Sequence, residues 1–289
     1  MIKGEGIAND VEVDPFTSVP SKKALERMVK LERTPLFYCD WLSALFIHFE
    51  IDPAVLQPHV PFTLDCRDGR GYVSLVAFTM TRLRPVFGGR TGAWLCAPIA
   101  EHGFLNVRTY VVQNDEPGIY FITEWLPNAL SVLLGPLVFG LPYSYGDLEY
   151  NHEGGTFRDR VTPFRGRDCL RYSGSVQTNA ELQPCRAGTL DEFLLERYTA
   201  YTRRGRTPLF FRIWHQPWPQ ARAQITLEET SLLAKACPWF ERARQIGANF
   251  STGARDVWVG FPRRVRQAQK GEDHGQQSRF QTRPAAALV

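Results

Sequence analysis

Asn106, Arg108 and Tyr110 alternate along the chain with Leu105, Val107 and Val111. A strand here would carry an amide, a guanidinium and a phenol on one face and aliphatic carbons on the other. Pointed into a partly dry cavity, the polar face binds charge, because a guanidinium grips a carboxylate through two parallel N–H donors. Pointed at solvent, or with Arg108 paired to Glu101 or Glu124, it is a structural face and nothing more. Glu101, Glu124 and His48 have the acid–base chemistry such a cavity would use, since burial tunes a carboxylate or an imidazole toward neutrality. For Glu124 and His48 the alternative is an outward-facing polar position or a satisfied core group.

Other chemistries are poorly supplied. His48, His59, His102, His152, His215 and His274 show no metal-ligand spacing, so neither a metal nor another cofactor is expected. Cys96 lies near Glu101 and His102, but a buried, inert thiol accounts for it better than a nucleophile does. There is no glycine-rich phosphate loop. Trp214 and Trp218 around His215 read as a packed aromatic corner, with a cavity wall as the second reading. Between Leu31 and Ala234 there is no lysine, so the long central stretch has no amine for a Schiff base.

The 289 residues, 44% hydrophobic and 22% charged, suffice for one sizeable core. The net charge of +4 is matched by the segment after Pro262, where six basic residues face two acidic ones. The body is therefore neutral, which argues against a nucleic-acid partner. Residues 1–35 read as a polar arm and residues 263–289 as a basic, disordered tail. Ala129–Leu141 is too short to span a membrane and contains Gly135, Pro136 and Gly140, so it reads as a buried helix or packed turn. No membrane partner is expected. Six scattered cysteines, with no charged-then-apolar leader, read as free thiols in a reducing, cytoplasmic compartment.

The elements that must position these residues are mostly strands. Leu45, Ile47, Phe49 and Ile51 alternate with Phe46, His48 and Glu50. Pro53–Pro58 reads as a short helix, Arg67–Gly71 as a turn, and Tyr72–Met80 as a strand covered on both faces. Leu105–Val112 and Ile119–Trp125 form a hairpin about a turn at Asn114–Gly118. Two capping-box patterns, Thr189–Glu192 and Thr226–Glu229, predict helices, one running to about Arg204 and one stopping before Pro238. Phe210–Pro219 lies between them as a strand ending in an aromatic turn.

The series Trp41–His48, Asp68-Gly69, Val73–Phe78, Asn106–Val111, Gly140-Leu-Pro-Tyr143, Phe193–Tyr198 and His215–Pro219 resembles the uncharacterised bacterial YqjF-like family over residues 36–262. The resemblance implies an acetoacetate decarboxylase-like fold: α+β, mostly β, a single cone-shaped and largely antiparallel β-barrel with peripheral helices and a ligand cavity. Enzymes of that fold use a lysine in a Pro-Lys-Lys run, and the matching place here is Pro142-Tyr143-Ser144. Both lysines are gone, which sets Schiff-base decarboxylation aside despite the fold. Tyr143 then stands where the lysine would be, able to donate to a carbonyl oxygen. The expected function is to bind or transform a small carboxylate or carbonyl metabolite, with Glu101, Tyr143 and His48 in acid–base roles and Asn106, Arg108, Tyr110 and Glu124 holding the ligand. The alternative is a non-catalytic binding or structural module, and a homo-oligomer stays open.

Overall fold

A computed structural model describes residues 19–32, 35–177 and 180–265. Its strands are β1 (Phe37–Ile51), β2 (Thr63–Leu64), β3 (Gly71–Pro85), β4 (His102–Gln113), β5 (Glu116–Leu126), β6 (Tyr143–Glu153) and β7 (Thr156–Pro163). They continue with β8 (Leu170–Val176), β9 (Thr199–Arg204), β10 (Thr207–Trp214), β11 (Gln220–Glu229), β12 (Arg244–Val259) and β13 (Arg263–Arg264). Six short α-helices accompany them: α1 (Val19–Arg27), α2 (Pro53–Leu56), α3 (Gly89–Cys96), α4 (Ala129–Phe139), α5 (Leu190–Leu195) and α6 (Ser231–Ala236).

All thirteen strands join one sheet, which closes on itself twice. One ring runs β5-β6-β7-β8-β11-β12-β1-β3-β4 and back to β5; the other runs β5-β9-β10-β12-β1-β3-β4 and back to β5. Only the β5–β6 and β5–β9 pairings are parallel among those described. The expected mostly antiparallel closed sheet with peripheral helices is therefore present. Closure leaves the ring strands without free edges, which removes the usual template for aggregation.

The strands β12, β1, β3, β4 and β5 belong to both rings, so each of their faces looks into a different interior. Leu45, Ile47, Val73, Leu75, Leu105 and Val107 fill one core. Phe46, Val76, Phe104, Tyr110, Phe121 and Phe211 line the other. Strand alternation sorts the residues between the two, and both rows of β4 are buried from Phe104 to Val111. The β4–β5 hairpin forms as expected, but its turn is only Asn114-Asp115, both left-handed at φ 50° and 58°. That is the geometry of a two-residue primed turn, and Pro117 and Gly118 belong to β5.

Three expectations are corrected. The helix from Thr189 is capped as predicted, with Thr189 Oγ1 accepting the Glu192 N–H at 3.3 Å, but it ends at Leu195. Thr199–Thr202 instead extend between β5 and β10, where Thr199, Ala200, Tyr201 and Thr202 are all buried. The second capping pattern is the end of β11, whose Ala221, Ala223 and Ile225 face inward while Arg222, Gln224 and Thr226 face out; a short helix starts only at Ser231. A period of two over a whole strand outranks a four-residue local pattern. Ala129–Phe139 is helical but not buried: Leu130, Leu133 and Leu137 are exposed.

Part of the expected arm is ordered, with Ala24 and Met28 buried and Ser21 Oγ donating to the His215 carbonyl at 3.1 Å. Residues 1–18 lie outside the described residues, as does residue 266 onward of the tail expected over 263–289; its first two residues, Arg263 and Arg264, instead pair with β10 as β13. All six cysteines are free. No helix of the described residues is long and apolar enough to cross a membrane.

Gly118 marks where β5 meets β9. A Cβ there would lie 2.4 Å from the Thr199 carbonyl oxygen and 2.6 Å from the Tyr201 ring. Gly118→Ala should therefore destabilise the fold by about 1–3 kcal/mol, the cost of forcing atoms into a packed interior. Urea unfolding measures it, and a cost below about 0.5 kcal/mol, the range of neutral surface changes, would contradict this closure.

Candidate functional site

The second interior is not completely filled. It encloses a cavity of about 240 Å³, walled largely by carbon from Phe46, Phe78, Phe104, Phe121, Ile213 and Trp218. Four polar side chains of the β4–β5 hairpin reach its lining: His102, Asn106 and Arg108 from β4, and Glu124 from β5. Residues 102, 106 and 108 share a face by simple alternation. Glu124 reaches it by a different route. Val107 pairs with Thr123 but Arg108 pairs with Phe121, leaving Ile122 as an extra residue. The bulge shifts the phase of β5, so Phe121 and Glu124, three residues apart, face the same interior.

Arg108 is 8% exposed, and its Nη2 donates to the Leu194 carbonyl at 3.0 Å. Its Nε has no partner, and no carboxylate forms an ion pair with it among the described residues. The guanidinium carbon sits 5.4 Å from the centre of the Phe46 ring, an attraction that does not neutralise charge. The neighbouring Arg197, which also lines the cavity, is different: its Nη1 bonds Asp65 Oδ2 at 2.7 Å. Of these two cations, Arg108 is the one left without a counter-charge. An arginine does not shed its proton, so the cavity carries a fixed positive end.

Asn106 Oδ1 and Glu124 Oε1 are likewise buried without partners, and the two residues are directly opposed across β4 and β5. Burial raises the Glu124 carboxyl well above its usual range, so it is a neutral acid with a proton to donate. Tyr143 lines the same cavity, and burial, with lesser contributions from Glu124 and Cys39, holds its phenol protonated. Its ring lies against α4 at Gly135, where a Cβ would come within 2.3 Å of it, so only glycine permits the approach.

Not all of the sequence candidates converge. Glu101 is exposed, in the bend before β4, and does not line the cavity. Tyr110 and His48 face the same side of the wall but are consumed by a network. Ser74 Oγ lies 2.7 Å from His48 Nδ1 and 2.6 Å from Tyr110 Oη, Tyr110 Oη lies 2.9 Å from the Leu194 carbonyl, and His48 Nε2 lies 3.1 Å from Asn249 Oδ1. With a neutral imidazole, three of these four contacts have a proton between them. Nε2–H donates to Asn249, Ser74 donates to Nδ1, and Tyr110 donates to Leu194, the carbonyl that also holds Arg108. His48 is thus a core group that fixes the arginine's anchor.

Of the two readings of the aromatic corner, the second holds in part: His215 and Trp218, with Trp41, line the cavity, while Trp214 turns away onto Trp258. His102 and Ser131 were missed, and no spacing in the sequence marks Ser131 as a cavity residue. Among the described residues no group of three or more His, Cys, Asp or Glu side chains is placed to hold a metal ion.

Residues 38–245 match the family profile of DUF2071, an uncharacterized conserved protein. The chain belongs to that family. It is 29% identical over 195 residues to the uncharacterized protein YqjF of Bacillus subtilis (strain 168), covering 65% of this chain and 76% of that one. Among solved structures it resembles acetoacetate decarboxylase from Legionella pneumophila, with a TM-score of 0.58 at 11% identity over 81% of this chain and 88% of that one. An acetoacetate decarboxylase-like enzyme from Sphingomonas wittichii RW1 gives 0.54 at 18% identity, covering 81% and 94%. The enduracididine biosynthesis enzyme MppR, solved in complex with pyruvate, gives 0.55 at 14% identity, covering 80% and 90%. These likenesses fix the fold, which is that of the acetoacetate decarboxylases.

Burial, and secondarily the charge of Arg108, lowers the His48 pKa from 6.5 to about 3. The neutral ring therefore contributes stability that is fully present above pH 6.5 and is lost as pH falls toward 3. Relative to His48→Gln, which cannot titrate, the wild type should lose its advantage on acidification by at most about 1.4 kcal/mol per pH unit. Denaturant unfolding between pH 7.5 and 4.5 measures the gap; a gap independent of pH would contradict this placement of His48.

Proposed function

We propose that the cavity binds a small carboxylate or carbonyl compound with an apolar body, and acts on it by acid–base chemistry without a Schiff base. The observation that supports this reading is the buried Arg108, without an ion-pair partner and with its Nε unpartnered, in a chamber walled largely by carbon. Burying an unpaired cation is costly, and a ligand carboxylate offsets that cost. Asn106 and Glu124 present two further unpartnered oxygens beside it. Protonated Glu124 and Tyr143 are donors suited to a ligand carbonyl oxygen, and the carbon walls suit an alkyl or aromatic body.

The lysines support the exclusion of imine chemistry. Lys22, Lys23 and Lys30 lie in α1 and the turn after it, Lys235 lies in α6, and none lines the cavity. The MppR complex shows that one protein of this fold takes pyruvate, a small oxo-acid. Glu124 here takes the acid–base place that the sequence suggested for Glu101. A purely binding role remains the second reading, favoured by the predominance of carbon in the lining.

Titration calorimetry with hexanoate and phenylacetate tests the assignment. Arg108→Ala should weaken binding by about 2 kcal/mol, roughly thirtyfold in Kd, and leave the circular dichroism spectrum unchanged. Arg108→Lys should restore only part of the loss, because an ammonium lacks the planar fork. Equal affinities in a folded Arg108→Ala protein would refute the assignment.

A further inference from the structure

One polar pair in the cavity has no part in holding a carboxylate. His102 opens the same face of β4 that carries Arg108 six residues on, which places the two roughly 20 Å apart along the strand. Across from His102 stands Ser131, in the first turn of α4. Asn128 caps that helix, its Oδ1 accepting the Ser131 N–H at 2.9 Å, which fixes the serine backbone. Serines in helices usually return their hydroxyl to a carbonyl one turn back or to solvent. This one does neither: Ser131 Oγ lies 3.0 Å from His102 Nε2.

The other imidazole nitrogen settles the direction of that bond. His102 Nδ1 lies 3.3 Å from the Gly103 carbonyl, which can only accept, so Nδ1 carries the proton and Nε2 offers its lone pair. Ser131 is then the donor. Both residues are buried, at 8% and 7% exposure, and both line the cavity. A hydroxyl bonded to a base that is itself oriented by a third group is the arrangement that activates a serine. Burial also lowers the His102 pKa, keeping the ring neutral at pH 7 and competent to take a proton.

We propose that Ser131 is a nucleophile, with His102 as its general base, acting on an ester or thioester of an apolar acid. Ser131 Oγ attacks the acyl carbon and its proton passes to His102 Nε2. The bond to the leaving alkoxide or thiolate then breaks, and that group takes the proton from His102. Water attacks the acyl-serine next, giving its proton to His102, which returns it to Ser131 as the free acid departs. Tyr143, a neutral phenol lining the same cavity, is the donor available to the tetrahedral oxyanion. The product is an apolar carboxylate, the class assigned to the Arg108 end, but the serine step requires only the acyl carbon and does not rest on that assignment.

The test uses the full chain with an alkyl fluorophosphonate, read by intact mass and peptide mapping, alongside hydrolysis of p-nitrophenyl butyrate and octanoate. The expected result is one adduct per chain, on Ser131, absent in Ser131→Ala and formed about a hundredfold more slowly in His102→Gln, with ester turnover falling in parallel. The labelling rate should rise with pH through the lowered His102 pKa and be flat above pH 7. Folded wild-type protein that takes no label and hydrolyses neither ester faster than buffer would overturn the proposal. So would a label on another residue, turnover retained in Ser131→Ala, or a rate still climbing tenfold per unit above pH 7. Because the wild type alone decides the labelling, a variant that fails to fold does not blunt the test.

Discussion

Five strands, β12, β1, β3, β4 and β5, wall two interiors at once, and the rest of the molecule follows from that double duty. A strand buried on both faces cannot keep a solvent side, so every second residue must suit one interior and the rest must suit the other. One interior is filled with aliphatic and aromatic carbon. The other leaves space, and the polar row of β4 is aimed into it. The guanidinium of Arg108 is held there because the wall has nowhere else to send it.

That placement sets the electrostatics of the whole chamber. Burial is the main reason that His48 and His215 fall to about 3 and about 4, and the charge of Arg108 lowers both further. Glu196, on the far side of Leu195, is pushed up to about 7 by burial, against the pull of Arg108 and of hydrogen bonds from Tyr198 and the Trp218 N–H. Burial alone makes Glu124 a neutral acid. The interior therefore combines a neutral acid, Glu124, and neutral bases, His48 and His215, with a cation, Arg108, that no carboxylate of the described residues pairs with.

Alternation made the wall legible in the sequence. Leu45–Ile51 and Leu105–Val111 announced their two faces, and the Asn114 turn announced the hairpin, because period-two patterning survives without tertiary information. Glu124 was named as a candidate, but its direction was hidden by the bulge at Ile122; an unbroken β5 would have sent Thr123 into the cavity instead. Glu101 looked near Arg108 because it precedes the same strand, yet it lies in the bend before the strand begins. The helix expected through Arg204 failed because Thr199–Thr202 are claimed by long-range pairing with β5 and β10, which no local cap can foresee. Tyr143 was located by family resemblance alone. Ser131 carried no signal at all, since its partner His102 is distant in sequence and only the fold joins them.

The central claim is that Arg108 is a cation waiting for a carboxylate, and its Nε–H proton reports on that directly. In protein labelled with ¹⁵N at arginine, titration with hexanoate should move the Arg108 Nε–H resonance downfield and saturate with the binding isotherm, while the Arg197 signal, already paired with Asp65, shifts little. An Arg108 signal that stays fixed while hexanoate saturates the protein would contradict the account.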